Sequence, residues 1–334
     1  MDRGNGMNRY ARQVALPAFG RAGQAALEAS HALVIGAGGL GAPVLLYLAG
    51  AGVGRITIVD PDRVEPSNLH RQTLFGEGDI GVPKAVAAAR AVAERNGAVS
   101  CIPRAERFDP DNAAAMIEAA DVVVDCADSF AASYLASDLC GAAGRPLVSA
   151  SALELGGYCG GFCGGAPSLR AVFPELPGQA ASCATGGVMG PVVGIAGAIQ
   201  AQMALAILAG IEPSPLGQLV TFDAASWRFA GFRFDGAPEP ERAPRFISLA
   251  QIAPEDALFD LRAPKEGPIF HPAAIHVPPG QLGAGGVVPR PGQRAVLACR
   301  SGLRAFAGAE RLGAVWDGDI VLLAIGALNP GETQ

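Results

Sequence analysis

The sequence predicts an α/β protein, a mostly parallel sheet with helices on both faces followed by a smaller α/β unit. Short β-rich runs alternate with alanine-rich helical stretches through the first half, the signature of strands joined by helical crossovers. A glycine-dense stretch after Ser151 breaks that alternation. A segment rich in proline and charge, DGAPEPERAPR at 235–245, then precedes renewed strand and helix patterns. It reads as a linker between residues 1–234 and 246–334.

In chain order the expected parallel strands are ALVIG, RITIVD, VSCIPRAERF, DVVVDC and PLVSASA, with helical patterns between them. GGYCGGFCGG is expected to be antiparallel, and SLRAVFPELPGQAASCATGG to be a long crossing loop. VMGPVVGIAGAIQAQMALAILAGI is apolar around most of its girth, so the helix it forms belongs in a core or an interface. In the last unit, ISLAQIAPEDALFDLR and QRAVLACRSGLRAFAGAERLGA supply strands and a helix. There is no internal repeat.

A chain of 334 residues buries a substantial core without disulfides or metal. Its net charge of −6 and the lack of any lysine or arginine block argue against nucleic acid or an anionic membrane surface as partner. Glycines, prolines or charges interrupt every apolar run, so none is expected to span a bilayer, and the N-terminus lacks a signal-peptide core. A cytoplasmic protein is expected. Seven irregularly placed cysteines argue against a disulfide framework.

The chemistry begins at VIGAGGLGAP. Gly36, Gly38 and Gly41 satisfy G-x-G-x-x-G between a strand and a helix, where backbone amides can approach a phosphate. Asp60 closes the next strand, where a carboxylate can accept both ribose hydroxyls. Those two features alone favour NAD. The following residues change the balance, because Asn68, Arg71 and Gln72 lie in one polar loop and Lys84 follows Pro83 at a helix start. A nucleoside triphosphate needs such cations on its β and γ groups, with a metal to share the charge. Asp128, at the end of a later strand, is placed to hold Mg²⁺ through one carboxylate while phosphates and waters complete the shell.

With these residues in view, RYARQVALPAFG, VIGAGGLGAPVLLYLAGAGVGRITIVDPDRVEPSNLHRQTLF, GVPKAVAA, DCADS and SCATGGVMGPVVGIAGAIQA resemble the ThiF/MoeB/HesA family, bacterial relatives of ubiquitin-activating enzymes. The resemblance runs over about residues 7 to 233. It implies a Rossmann-like domain that adenylates the C-terminal glycine carboxylate of a ubiquitin-like sulfur carrier with MgATP, releasing pyrophosphate. It further implies that Gly38, Gly39 and Gly41 frame the phosphates and that Asp60 holds the ribose. Asn68, Arg71, Gln72 and Lys84 would surround the triphosphate, and Asp128 would organise Mg²⁺. Arg12 matches an arginine that reaches into a neighbouring subunit's site, which implies a homodimer.

Many relatives in that family bind a structural zinc through two C-x-x-C pairs. Here PSLRAVFP puts Ser168 and Ala171 at the first pair's positions, and no C-x-x-C follows Trp227, so no zinc is expected. Cys159 and Cys163 are expected to pack in strands, and Cys101, Cys126 and Cys140 in the core. Cys183, in ASCATGG, matches a loop cysteine that in relatives attacks the acyl-adenylate or joins a covalent carrier adduct.

The last segment, LFDLRAPKEGPIFHPAAIHVPPGQL with LACRSGLRAFAGAERL, resembles an abbreviated rhodanese-like sulfurtransferase domain. Cys299 would then sit among backbone amides at a helix N-terminus, with Arg300 and Arg304 near, surroundings that favour a persulfide anion. The sulfur would come from a cysteine desulfurase persulfide or thiosulfate. Asp260 and His271 match structural positions of that domain, and His31, His70 and His276 show no ligand spacing. An inactive domain that only docks the carrier stays open.

The tails of a thiamine-pathway carrier and a molybdopterin one are alike and nothing in the sequence separates them; the expectation leans to thiamine. An NAD-dependent oxidoreductase would keep the glycines and Asp60 but leaves Arg71, Lys84 and Asp128 without a task. A carrier-binding scaffold without turnover is the third reading, and the intact phosphate residues argue against it.

Overall fold

A computed structural model describes residues 9–174 and 187–326, folded around two sheets. The first has eight strands. They are β1 (His31–Ile35), β2 (Arg55–Val59), β3 (Ser100–Arg104), β4 (Val122–Asp125), β5 (Pro146–Leu153), β6 (Gly156–Cys163), β7 (Gln218–Asp223) and β8 (Arg228–Arg233). Their order is β3-β2-β1-β4-β5-β6-β7-β8. Strands β1 to β5 are parallel, and β5 to β8 are antiparallel, as the glycine-dense texture after Ser151 predicts.

Alternation along β1 shows why helices cover both faces. Ala32 and Val34 belong to one hydrophobic cluster, and Leu33 and Ile35 to another, because successive side chains of a strand point to opposite sides. Among the described residues the α-helices begin with α1 (Ala11–Val14), α2 (Gly20–Ala29), α3 (Gly41–Ala51), α4 (Lys84–Arg95) and α5 (Ala113–Glu118). They continue with α6 (Phe130–Ala143), α7 (Leu169–Val172), α8 (Gly190–Ala209) and α9 (Leu303–Gly313). Helices α2, α3, α4 and α8 supply the first cluster, and α5 and α6 the second. Fully buried Leu33, Leu147 and Phe162 contribute about 2 kcal/mol each.

Helix α8 corrects one expectation. Its 20 residues carry no charge, and an 18-residue stretch of it has a mean hydropathy of 1.9, long and apolar enough to cross a membrane by length and composition. Pro191 does not interrupt it because the ring sits in the first turn, where its N–H would be unpaired in any case. The helix instead lies against α2, α3 and the strands β4, β5 and β6, with half of it buried inside the protein.

The second sheet contains β9 (Arg245–Phe246), β10 (Ala257–Asp260), β11 (Ile275–His276), β12 (Ala295–Cys299) and β13 (Ile320–Ala324), all parallel in the order β11-β10-β12-β13-β9. The linker ends one residue earlier than the sequence suggests, since Arg245 already pairs with Val321. It is also pinned. Ser168 donates from its backbone N–H and its hydroxyl to the Glu239 carboxylate at 2.7 and 2.5 Å. Arg170 donates to the Pro244 carbonyl at 3.2 Å while gripping Asp138 at 2.6 Å. One face of this sheet, with Leu297, Leu322, Phe259 and Phe306, joins the cluster that holds Leu33, Tyr134 and Leu135 of the first unit. The two sheets therefore share a hydrophobic core.

Candidate functional site

Strand β1 leads to β2 on one side, whereas its other neighbour β4 leads to β5 on the opposite side, so the chain changes direction between β1 and β4. Ligands of open parallel sheets bind at such a point, beyond the strand C-termini. A cavity of about 1800 Å³ opens there. Its wall includes Gly36, Gly38 and Gly39 from the loop after β1, Asp60 from the end of β2, and Asp128 after β4. Asn68, Arg71, Gln72 and Lys84 complete this side.

The glycine loop is shaped by two close approaches. Gly36 has φ +95°, and a Cβ there would meet the Cys126 carbonyl oxygen at 2.7 Å. Gly41 departs from the expected role because it does not line the cavity. A Cβ on Gly41 would collide with the Gly36 carbonyl oxygen, so this glycine lets α3 start against the strand end and acts on the loop from behind.

Asp60 fastens the same loop. Its carboxylate accepts the Ala37 N–H and the Asp62 N–H, each at 2.8 Å. Burial pushes its pKa up, while the Ala37 N–H and Lys84 pull it down. Lys84 is buried at the first residue of α4 and donates to exposed Asp62 at 2.9 Å. Asp62 is a partner the sequence reading missed; its exposure leaves the ammonium able to exchange a carboxylate for a phosphate.

The 66–72 loop is held by its own polar groups. Asn68 accepts the Glu65 N–H at 3.3 Å, and Arg71 donates to the Ser67 carbonyl at 3.1 Å. Gln72 is buried, yet its Oε1 has no hydrogen-bond partner. A buried acceptor without a donor is costly, and a ligand hydroxyl or amide in this cavity would relieve it.

Asp125, also absent from the sequence reading, is fully buried at the end of β4. It accepts the Ser149 hydroxyl at 2.7 Å and the Ala127 N–H at 3.1 Å, and burial raises its pKa. It thereby orients the loop that presents Asp128. The signal was an acid inside the apolar run VVVDC, which reads equally well as a strand end. Asp128 is exposed and lines the cavity.

Two expected site residues, Arg12 and Cys299, do not line the cavity. Arg12 is exposed on α1 and does not line the cavity of its own chain. Cys183 lies outside the described residues. Cys299 is wholly buried at the end of β12. Its Sγ accepts the Gly302 N–H at 3.2 Å just before α9, and its carbonyl accepts the Ile325 N–H at 2.9 Å. The neighbouring Arg304 is clamped by Glu266 at 2.7 and 2.6 Å. What the second unit does show to the cavity is Arg300, Ser301, Phe270 and His271.

The remaining cysteines are structural. Cys126, Cys140, Cys159 and Cys163 are buried; burial pushes Cys163 up to about 12 and Cys101 to about 11. Ser168 and Ala171 stand at α7, where Ser168 caps the helix by accepting the Ala171 N–H at 3.2 Å. Among the described residues no three His, Cys, Asp or Glu side chains gather as a metal site. Mg²⁺ held by one carboxylate and phosphate oxygens needs no such cluster.

Comparison with known proteins covers the same part of the chain. Residues 10–242 match the model of the ThiF family. The adenylyltransferase and sulfurtransferase MOCS3 of Bos taurus is 47% identical over 230 residues, 68% of this chain and 50% of the relative. The adenylyltransferase and sulfurtransferase UBA4 of Yarrowia lipolytica is 46% identical over 206 residues, 61% of this chain and 52% of the relative. The chain thus spans about half the length of the curated relatives it matches. Among solved structures, E. coli MccB with MccA-N7isoASN has a TM-score of 0.61 at 22% identity, over 69% of this chain and 72% of that one. E. coli MccB with ATP has a TM-score of 0.59 at 21% identity and the same coverage. These structures share the fold. With the family match extending from α1 through the eight-stranded sheet and into the linker, the chain belongs to the ThiF family.

Proposed function

We propose that this chain adenylates the C-terminal glycine carboxylate of a ubiquitin-like sulfur carrier, using MgATP and releasing pyrophosphate. The observation that carries the reading is the meeting of Asp60, Asn68, Arg71, Gln72, Lys84 and Asp128 on one cavity at the turning point of the sheet. The names of MOCS3 and UBA4, adenylyltransferase and sulfurtransferase, and the ATP complex of MccB support it. An NAD-dependent oxidoreductase would leave Arg71, Lys84 and Asp128 without a task, because its diphosphate needs only the glycine loop.

The reaction asks little covalent work of the protein. A carboxylate oxygen attacks the α-phosphorus, the bond to the bridging oxygen breaks, and pyrophosphate departs with the electron pair, so no proton has to move. Catalysis is then alignment of two anions and neutralisation of charge on the leaving oxygens. The loop from Gly36 to Gly39 offers backbone amides, Asp60 holds that loop, and Arg71 and Lys84 take the β and γ oxygens. The Asp128 carboxylate fits Mg²⁺, since it accepts no hydrogen bond and pairs with no cation among the described residues. Bound there, Mg²⁺ supplies additional positive charge to the triphosphate.

In the same reading residues 1–234 form the adenylating domain, 235–245 the linker, and 246–334 a rhodanese-like domain whose Cys299 carries sulfur from a persulfide or thiosulfate donor. A homodimer in the cytoplasm completes it. Support for the homodimer comes from α8, where Ile195, Ile199 and Leu205 are only partly buried, and from Leu16 and Tyr47, each 57% exposed. The test is carrier-dependent exchange of pyrophosphate into ATP. Arg71→Ala and Asp128→Ala are expected to lower it by about 10²-fold or more, the size of effect seen when one transition-state charge contact is removed. Unchanged exchange in both variants, or tight NAD binding without ATP binding in the parent protein, would sink the reading.

A further inference from the structure

The cavity is larger than its nucleotide wall requires. Sites for one small ligand typically measure about 300–1,000 Å³, against about 1800 Å³ here. The surplus is bounded by the second unit, through Phe246, Phe270, His271, Arg300 and Ile325. Apolar rings around one cationic group suit an extended peptide, whose backbone offers oxygen acceptors at intervals of about 3.3 Å.

Among the described residues of the second unit, Arg300 is the one arginine or lysine that lines the cavity. Arg262 is paired with Asp260 at 2.7 Å, Arg294 with Asp256 at 2.6 Å and Arg304 with Glu266 at 2.6 Å. Arg300 is exposed, lines the cavity, and its guanidinium has no hydrogen-bond or ion-pair partner among the described residues. Guanidinium is a planar fork matched to carboxylate and carbonyl oxygens. Its location is fixed by packing between the units. Arg107 donates to the Ala324 carbonyl at 2.6 Å, and Ser248 donates to Asp111 at 2.6 Å. The Tyr134 and Phe306 rings meet with centroids 6.2 Å apart.

We infer that the second unit is the wall that receives the C-terminal tail of the carrier, and that Arg300 is its contact with the tail's carboxylate and carbonyl oxygens. The inference rests on the proposed adenylation and adds a specificity residue to it from outside the nucleotide-binding sheet. Because Arg300 follows Cys299 directly, the same contact holds the acyl end of the tail beside the sulfur loop.

The experiment compares wild type, Arg300→Ala and Arg300→Lys with two carriers, one intact to Gly-Gly and one lacking that dipeptide. Calorimetric titration reads binding without turnover, and pyrophosphate exchange reads KM for carrier and ATP separately. Wild type is expected to prefer the intact carrier. Arg300→Ala is expected to lose most of that preference and to raise the carrier KM about tenfold with the ATP KM unchanged, while Arg300→Lys recovers part of both. An undiminished preference for the intact tail in Arg300→Ala overturns the inference alone. So does a raised ATP KM with an unchanged carrier KM, which would make Arg300 a nucleotide contact. Tail-dependent binding that needs Arg300, without any exchange by wild type, supports the tail contact and overturns the adenylation reading instead.

Discussion

Around the eight-stranded sheet, the side chains expected to handle nucleotide stand at strand ends and in the segments that follow them, on one open cavity, and one of them, Gln72, keeps a buried oxygen unpaired. In the five-stranded sheet, the expected nucleophile is shut away. Cys299 is wholly buried, accepts the Gly302 N–H, and lies beside Arg304, which pairs with Glu266 and also hydrogen-bonds the cysteine side chain. The first arrangement turns polar groups toward an open cavity. The second has its polar groups satisfied by one another, so access to the thiol needs local opening, whose cost sets how often the sulfur is exposed. The motif residues thus meet at an open cavity in one sheet and around a closed thiol in the other.

The largest effect should come from breaking the preformed loop. Gly41→Val places side-chain atoms against the Gly36 carbonyl, with backbone on both sides of the clash. We expect a loss of at least about 2 kcal/mol, within the range for overpacking a tight core, and loss of ATP binding. A melting temperature equal to wild type would mean that the loop is looser than described.

The closed thiol offers the next test. Cys299 is expected to react with iodoacetamide at least about tenfold more slowly than in the denatured chain, because only the opened state reacts. Cys299→Ala is expected to retain pyrophosphate exchange and to lose thiocarboxylate formation from thiosulfate or a persulfide donor. Full thiocarboxylate yield in that variant would make the second unit a docking module.

A smaller effect concerns acid. The Arg304 hydrogen bonds, and then the Ala263 N–H, hold the Glu266 carboxyl at about 2, below its ordinary 4.5. A depressed carboxyl stabilises the fold above its unfolded pKa, and that contribution is lost as pH falls from about 4.5 to about 2. Solvent screens this partly exposed pair, so the slope is small. Glu266→Gln should flatten the stability profile over that interval; an identical acid slope in the variant would show that the pair does not couple to folding.

Local sequence determined the parallel strands, the antiparallel turn after Ser151 and the nucleotide loop, because each depends on short-range periodicity or on glycine at a strand-to-helix junction. Asp60 and Asp128 line one cavity because strand ends in such a sheet face one crevice, and Lys84 joins them from the start of α4. Other features depended on contacts between residues far apart in the chain. Gly41 lies behind the loop because α3 starts against Gly36, and Asp62 claims Lys84 across the space between β2 and α4. Asp125 turns inward to Ser149 of the neighbouring strand. Helix α8, read as too interrupted to span a bilayer, proved continuous because its proline falls in the first turn. Whether Cys299 faces solvent, and that Arg300 shares a cavity with Asp128, were decided by the packing of one sheet on the other through the core common to both. A motif specifies which groups lie close in sequence; only the burial of surface between distant segments decides which of them a ligand can reach.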